Sequence, residues 1–274
     1  MRIARSKGFT LAELAVAFVI IGLLLAGALL PLSTQMELKN TTDTKRIMDQ
    51  IKEALIGFAQ ANGRLPCPAS GTLKSSDAGA GTEQYSSPSC TSLIGVVPWA
   101  TLGVPEADAW GRRFTYRVAS VFSDALPPTA LTWHTPGQSP DCTAPTPTPT
   151  NASYALCSQG EIAVLKRSEA DHAAPPATMA TGLPAVFLSH GKNGKGAYQT
   201  TGVPLVAGTG DEAINSNGGT RPSLIYNFYS RDQTPEQAGC SDTAGTKFCE
   251  FDDIVYIIST STLIAKTVNA GRLP

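Results

Sequence analysis

The N-terminal stretch MRIARSKGFTLAELAVAFVIIGLLLAGALLPL, residues 1–32, decides how the rest of the chain is interpreted. Arg2, Arg5 and Lys7 precede an apolar run, and residues 14–32 carry no charge. At a rise of about 1.5 Å per residue, a helix over this run approaches the roughly 30 Å of a hydrocarbon core. Because basic residues stay on the cytoplasmic side, the pattern predicts a transmembrane helix with its N-terminus in the cytoplasm.

A cleavable secretory signal is the alternative interpretation of this stretch. The apolar run is longer than the roughly 7–15 residues of a usual signal core. No clean small-x-small cleavage site with a polar flank follows it, although residues 26–28, Ala-Gly-Ala, could be argued to be one. Glu13 is the unusual residue, because an isolated carboxylate at the head of an apolar helix is costly unless it has a partner. It is therefore either a functional group or an interfacial residue that reaches towards water.

Residues 7–14, KGFTLAEL, resemble the prepilin leader of type IV pilins and type II secretion pseudopilins. In that family an inner-membrane aspartic peptidase cuts after the glycine, the new amino terminus is methylated, and a glutamate is retained at the fifth mature position. The resemblance implies cleavage between Gly8 and Phe9, methylation of Phe9, and Glu13 as that glutamate. The Phe9 amine of a neighbouring subunit would then neutralise Glu13, which sets register more reliably than it adds stability.

The resemblance also implies partners and a location. The expected partners are other pilin or pseudopilin subunits, bound through the N-terminal helix, the prepilin peptidase and methyltransferase, and an inner-membrane assembly platform. The expected location is the bacterial inner membrane, crossed once with the C-terminal domain in the periplasm, and then a periplasmic or cell-surface filament.

Pro31 removes a backbone donor and is expected to kink the helix, in the zone where related helices loosen on assembly. The large size favours a minor subunit, with a tip adhesin or binding module, including one for DNA uptake, as the alternative.

The fold class predicted is α+β, with a long helix, transmembrane in its first half, packed on a small antiparallel sheet with long disulfide-clipped loops. The expected divisions are a leader (1–8), a transmembrane and polymerisation segment (9–32), an amphipathic continuation of the helix (33–62) and a β-rich globular domain (63–274). Apolar residues spaced by three and four, among them Met48, Ile51 and Leu55, predict the continuation. Asn62-Gly63 is typical of a helix end. The strands expected from Val, Ile, Phe and Tyr content are 114–120, 161–166, 185–189, 224–229 and 254–259.

Six cysteines are present, an even number, and none lies in a C-x-x-C pair. With three histidines in the chain, a zinc site is poorly supported. Export favours disulfides, and buried free thiols are the alternative. The favoured pairing is the sequence-local one, because each bridge would then clip one loop: Cys67 with Cys90, Cys142 with Cys157, and Cys240 with Cys249.

Two further function classes can be weighed from the sequence. The formal net charge of −1 gives no electrostatic case for nucleic acid, so no specific nucleic-acid partner is predicted. Ser189 and His190 are adjacent on a predicted strand and would face opposite sides. The sequence also contains no G-x-S-x-G nucleophile elbow and no Walker loop. We therefore expect a structural subunit and not an enzyme.

Residues 186–194 and the pair Asp252-Asp253 resemble the turn and the last-strand entry of pseudopilins. In some of those proteins acidic residues near the last strand bind calcium, which prefers hard oxygen ligands. Asp252 and Asp253 are the clustered carboxylates in the sequence, and no companion acidic loop is evident. No cofactor is therefore expected. Turn-forming or strand-capping roles are favoured for Asp252 and Asp253, and calcium binding by the two residues is the alternative.

Overall fold

The structure is a computed structural model that describes residues 10–124, 142, 145, 148–168, 174–244 and 247–273, and only the backbone of residues 24–33. The predicted leader and the Gly8–Phe9 cleavage site lie outside these residues. The chain divides into two compact units, residues 1–42 and residues 43–274. The division therefore falls before the predicted globular domain, and assigns the C-terminal part of the first helix to the larger unit.

The first helix, α1, comprises the 52 residues Leu11–Asn62 and includes Pro31. It is the long helix that the apolar spacing predicts. It ends where Gly63 takes a left-handed conformation, with φ of 70°, and donates its N–H to the carbonyl of Ala59 at 2.8 Å. Among the residues whose side chains are described, which exclude 24–33, no helix is both long and apolar enough to span a membrane.

The remaining elements are short and belong to the larger unit. The strands are β1 (Tyr85–Ser86), β2 (Ser89–Cys90), β3 (Ile94–Val96), β4 (Thr115–Val118), β5 (Ile162–Lys166), β6 (Ala177–Leu183), β7 (Ala185–Ser189), β8 (Tyr226–Tyr229) and β9 (Ile254–Ile258). The helices are α2 (Trp99–Leu102), α3 (Gly210–Ser216) and α4 (Thr260–Asn269), with a 3-10 turn at Ser120–Phe122. All five predicted strands are present within one or two residues of their expected bounds.

The main sheet has the order β3-β4-β7-β9 and is antiparallel throughout, as predicted. A second sheet has the order β6-β5-β8. In it β5 pairs with β6 antiparallel but with β8 parallel, which the prediction of a purely antiparallel sheet missed. A parallel pair needs a long crossover, and here the chain makes β6, β7 and α3 before it returns as β8.

The core lies between the C-terminal part of α1 and the main sheet. Met48, Ile51, Leu55 and Ala59 of α1 are completely buried, which confirms the predicted apolar face. They share one cluster with buried residues of β4, β7 and β9: Tyr116, Val118, Val186, Phe187, Leu188, Ile254 and Ile258. Burial of these side chains is the main stabilising contribution in this unit, at about 25 cal/mol per Å² of apolar surface removed from water.

Three disulfides clip the loops of the larger unit. They join Cys67 to Cys90, Cys142 to Cys157, and Cys240 to Cys249, at Cα separations of 5.4, 5.5 and 4.8 Å. These are the sequence-local pairs that the spacing favours. The described part of the chain holds no free cysteine.

The C-terminal tail caps the end of α1. No basic residue lies in the last turn of α1, where the helix leaves carbonyl groups without helical partners. Arg272 supplies the missing donors: its Nε donates to the Gln60 carbonyl at 2.9 Å, and its Nη2 donates to the Ala61 carbonyl. Gln60 in turn donates from Nε2 to the Lys266 carbonyl at 3.2 Å. The tail and α4 are therefore fastened to the helix whose apolar face packs into the core.

Arg272→Ala should destabilise the larger unit, because it removes two charge-assisted hydrogen bonds from a helix C-terminus. The expected loss is about 1–3 kcal/mol in the free energy of unfolding, measured by urea denaturation of the full chain in detergent. Arg46→Ala is the matched control, since Arg46 is 72% exposed and 3.9 Å from Asp43, and it should cost no more than about 0.5 kcal/mol. Equal losses for the two variants would contradict the capping role.

Candidate functional site

The first 13 residues of α1, 11–23, form an exposed surface. Every residue from 11 to 23 is exposed, and all but Glu13 and Gly22 in this stretch are apolar. Leu11 is 88% and Leu23 69% exposed. A surface of this kind requires a lipid or protein environment. Of the predicted site residues, Gly8 and Phe9 lie outside the described part, Glu13 lies in the first turn of α1, and Pro31 lies within α1.

Thr10 and Glu13 cap the start of α1 reciprocally. The Thr10 N–H and the Thr10 hydroxyl both donate to Oε2 of Glu13, at 2.8 and 2.9 Å. The Glu13 N–H donates to the Thr10 hydroxyl oxygen at 3.3 Å. This is the capping box, in which a threonine before the first helical residue pairs with a glutamate three residues later. The Glu13 carboxylate is therefore held at the N-terminus of its own helix.

A second candidate site is a cluster of three carboxylates in the larger unit. Glu212 comes from α3, and Asp252 and Asp253 come from the segment that enters β9. One oxygen of each lies within 4.8 Å of the others. Glu212 and Asp253 are buried, and Asp252 is half-buried. The structure thus supplies the acidic companion that the sequence did not reveal, from a helix 40 residues upstream of Asp252.

Hydrogen bonds reach both oxygens of Glu212 but only one oxygen of each aspartate. Oε1 of Glu212 accepts the Asp252 N–H at 2.9 Å and the Asn193 side-chain amide at 3.0 Å. Oδ2 of Asp252 accepts the Asn193 N–H at 2.8 Å, and Oδ2 of Asp253 accepts the Asn215 amide at 2.8 Å. Among the described residues, Oδ1 of Asp252 and Oδ1 of Asp253 accept no hydrogen bond. Of these two oxygens, Oδ1 of Asp253 lies 3.4 Å from Nδ1 of His190.

The electrostatics of the cluster follow from its burial. Burial, and secondly the charge of Asp253, raise the pKa of Glu212 to about 8. Burial likewise raises the pKa of Asp252. Carboxylates this close cannot all ionise in a poorly solvated place unless a cation compensates their charge, and otherwise at least one of them holds a proton.

The donor set of the cluster fits a hard divalent cation. Calcium takes six to eight oxygen ligands at about 2.3–2.6 Å, and carboxylates are its commonest protein ligands. Asp253 is 6% exposed, and its Oδ1, which accepts no hydrogen bond from the described residues and lies 3.4 Å from Nδ1 of His190, is the oxygen that such an ion would bind. Asp252 also receives the Asn193 N–H, so the turn-forming role expected as the alternative is present as well.

A buried ion network holds the two segments of the cluster in place. Asp211, which precedes Glu212, accepts from Arg167 Nε at 2.9 Å and from Arg231 Nε at 3.2 Å. Its N–H donates to Oδ2 of Asp242 at 2.8 Å, and Oδ1 of Asp242 accepts the Cys249 N–H at 2.9 Å. The Cys240–Cys249 loop is therefore tied to the start of α3, and the chain runs from it directly into Asp252 and Asp253.

Ser189 and His190 do not form the pair that a hydrolase would need, as the sequence analysis predicts. Ser189 donates to Oδ2 of Asp108 at 2.6 Å. His190 contacts Thr115 through Nε2 at 2.8 Å and has Nδ1 3.4 Å from Oδ1 of Asp253. His190 thus lies between the Thr115 hydroxyl and the Asp253 carboxylate. His190 has no exposed surface and Thr115 is 5% exposed, so a substrate in solution has no access to this group of side chains.

Comparison with known proteins adds one finding at the N-terminus. A family model described as the prokaryotic N-terminal methylation motif matches residues 3–29. No curated protein and no solved structure matches the chain. The motif is consistent with a type IV pilin-like substrate of a prepilin peptidase. The matched residues include Gly8, Phe9 and Glu13.

Asp211→Asn should destabilise the larger unit strongly, because it leaves the buried Arg167 without its charged partner. Removal of one member of a buried ion pair typically costs about 3–5 kcal/mol, and we expect a loss of that order in urea denaturation with the disulfides intact. Asp232→Asn is the control: Asp232 is 80% exposed and 3.6 Å from Lys166, so its loss should cost less than about 1 kcal/mol. Indistinguishable stabilities of the two variants would show that the network does not support α3.

Proposed function

We propose that this protein is a minor structural subunit of a type IV pilus or of a type II secretion pseudopilus. It is cleaved after Gly8, methylated at Phe9, and assembles through the exposed apolar start of α1. The observation that carries the proposal is the combination of Glu13 with the wholly exposed, nearly all-apolar residues 11–23, inside the matched motif. The size of the chain, 274 residues, and its disulfide-clipped loops favour a minor position in the filament.

Before assembly, the subunit crosses the inner membrane once. Residues 14–32 contain no charged side chain, and Arg2, Arg5 and Lys7 lie on their N-terminal side. The basic end remains in the cytoplasm, so that the larger unit folds in the periplasm. The oxidising conditions there account for the three disulfides.

During assembly, the methylated amine of Phe9 on one subunit neutralises Glu13 of its neighbour. A charged carboxylate in hydrocarbon costs several kcal/mol without a partner, so a subunit out of register leaves this cost uncompensated. Pro31 lies within α1 without a backbone donor, and is proposed as the point where the helix loosens when subunits pack. The partners in this step are other pilin subunits and the inner-membrane assembly platform.

Glu13→Ala tests the proposed assembly step. The variant should still reach the membrane, because removal of a charge does not hinder insertion, but its share in sheared filaments should fall by about tenfold or more. A tenfold loss corresponds to about 1.4 kcal/mol. Immunoblots of filament and membrane fractions measure the two quantities. Glu53→Ala is the control, because Glu53 is an exposed glutamate of the same helix, and filaments that contain Glu13→Ala at the wild-type level would contradict the proposal.

We further propose that Glu212, Asp252 and Asp253 bind calcium. The support is that Oδ1 of Asp252 and Oδ1 of Asp253 accept no hydrogen bond from the described residues, in a site where one oxygen from each of the three carboxylates lies within 4.8 Å of the others. Calcium would compensate these charges and hold α3 against the entry to β9. The proposed role of calcium is structural: an ion that binds only the folded state raises the free energy of unfolding, by an amount set by its concentration and its Kd.

Calcium titration of the full chain, freed of metal with a chelator, tests this second proposal. At a calcium concentration about a hundred times the Kd, the expected gain is about 2.7 kcal/mol in the free energy of unfolding. Asp253→Asn should abolish the gain, whereas Asp232→Asn, on the exposed Asp232, should leave it unchanged. A wild-type melting temperature that is the same with calcium and with chelator would overturn the calcium site and leave the filament proposal standing.

A further inference from the structure

Lys195 places an ammonium group beside the carboxylate cluster. Its Nζ donates to Oε2 of Glu250, and the two side chains are 31% and 21% exposed. Glu250 lies two residues before Asp252 in the chain. Burial, and to a smaller extent the charges of Asp253 and Glu250, raise the pKa of Asp252. The ammonium is therefore bound to a further carboxylate of the same acidic segment.

Asn193 and Gly208 fix Lys195 relative to the cluster. The Asn193 side-chain amide donates to both oxygens of Glu212, at 3.0 and 3.2 Å, while its Oδ1 accepts the Lys195 N–H at 2.8 Å. The Asn193 N–H donates to Oδ2 of Asp252. The position that a Cβ would take on Gly208 lies 2.9 Å from Oε2 of Glu212 and 3.4 Å from Cβ of Lys195. The lysine is thus held next to two of the three carboxylates.

The charge of Lys195 acts on the same space as a calcium ion. The hydrogen bond to Glu250, and then the charges of Glu250 and Glu212, raise the pKa of Lys195, so its side chain is positively charged at neutral pH. Without an ion, the ammonium compensates part of the negative charge of the cluster. A calcium ion among the carboxylates would bring two positive charges close to this one, and like charges repel.

We propose that Lys195 is a built-in competitor of calcium: its tethered ammonium stabilises the carboxylate cluster when no ion is bound, and lowers the affinity of the cluster for calcium. The inference rests on the proposed calcium site and adds a residue that sets its Kd. Because the Lys195 side chain borders water, it can withdraw from the cluster when the ion enters. A lysine that formed only a structural ion pair with Glu250 would stabilise the fold equally with and without calcium.

Calorimetric titration of the full chain with calcium, in detergent and at one fixed pH, tests the proposal. Lys195→Gln removes the ammonium and should tighten the Kd by about tenfold, because one positive charge near a divalent ion is lost. Lys195→Arg keeps the charge and should bind calcium like wild type. Lys166→Gln is the matched control, because Lys166 is 42% exposed and lies beside the exposed Asp232, and its Kd should be unchanged.

Urea denaturation separates competition from a purely structural role. If Lys195 competes with calcium, Lys195→Gln should be less stable than wild type in chelator. The ratio of the two unfolding constants should then shrink by about tenfold in saturating calcium, since a tighter Kd adds stability to the folded state. A ratio that is the same in chelator and in calcium, or a variant that is unfolded in both, would overturn the inference.

The binding data also distinguish this inference from the proposal on which it rests. Equal Kd values for wild type and Lys195→Gln would overturn the competition and leave the calcium site intact. Binding by Lys195→Gln alone would support the competition, because it would show that the ammonium keeps calcium out of the wild-type site. Absence of binding by both would overturn the calcium site and the competition together, and leave the filament proposal standing.

Discussion

A charged carboxylate at the head of an apolar helix is the constraint on which the rest of this molecule depends. Residues 11–23 expose apolar side chains that water does not solvate favourably, and Glu13 lies among them with hydrogen bonds from Thr10 alone in the described structure. Hydrogen bonds from a neutral residue do not compensate a charge in hydrocarbon. The missing component is a cation, and in the proposed function a prepilin-type cleavage before Phe9 would create one on every subunit. The same segment would then contain both the anion and the amine that is proposed to pair with it.

The larger unit is built on the C-terminal part of α1. Its core is formed on the apolar face of α1, around Met48, Ile51 and Leu55, and Arg272 fastens the C-terminal tail to the helix end. Several of the described connections are fixed by a disulfide or by a buried arginine such as Arg167. These contacts tie loops to the core in a chain that contains 25 glycines and 20 prolines. The carboxylate cluster belongs to the same design, because it joins α3 to the strand that completes the main sheet.

Sequence patterns predicted those features of the fold that depend on residues close together in the chain. The spacing of Met48, Ile51 and Leu55 gave the buried face of α1, and the run at Ala185–Ser189 gave β7 with its observed bounds. The segment Ala177–Leu183, which forms β6, contains polar residues and a glycine and has no strand signal. The parallel pairing of β5 with β8 and the approach of Glu212 to Asp252 depend on the path of the chain over many residues. No spacing encodes them, so sequence analysis found two of the three carboxylates and missed the third.

The mass of the N-terminal peptide of the protein isolated from the cell envelope tests the central claim most directly. The account predicts a peptide that begins at Phe9 and carries one added methyl group, because only a freed and methylated amine can serve as the partner of Glu13. A peptide that still carries residues 1–8, or a chain that begins beyond residue 32, would contradict the account.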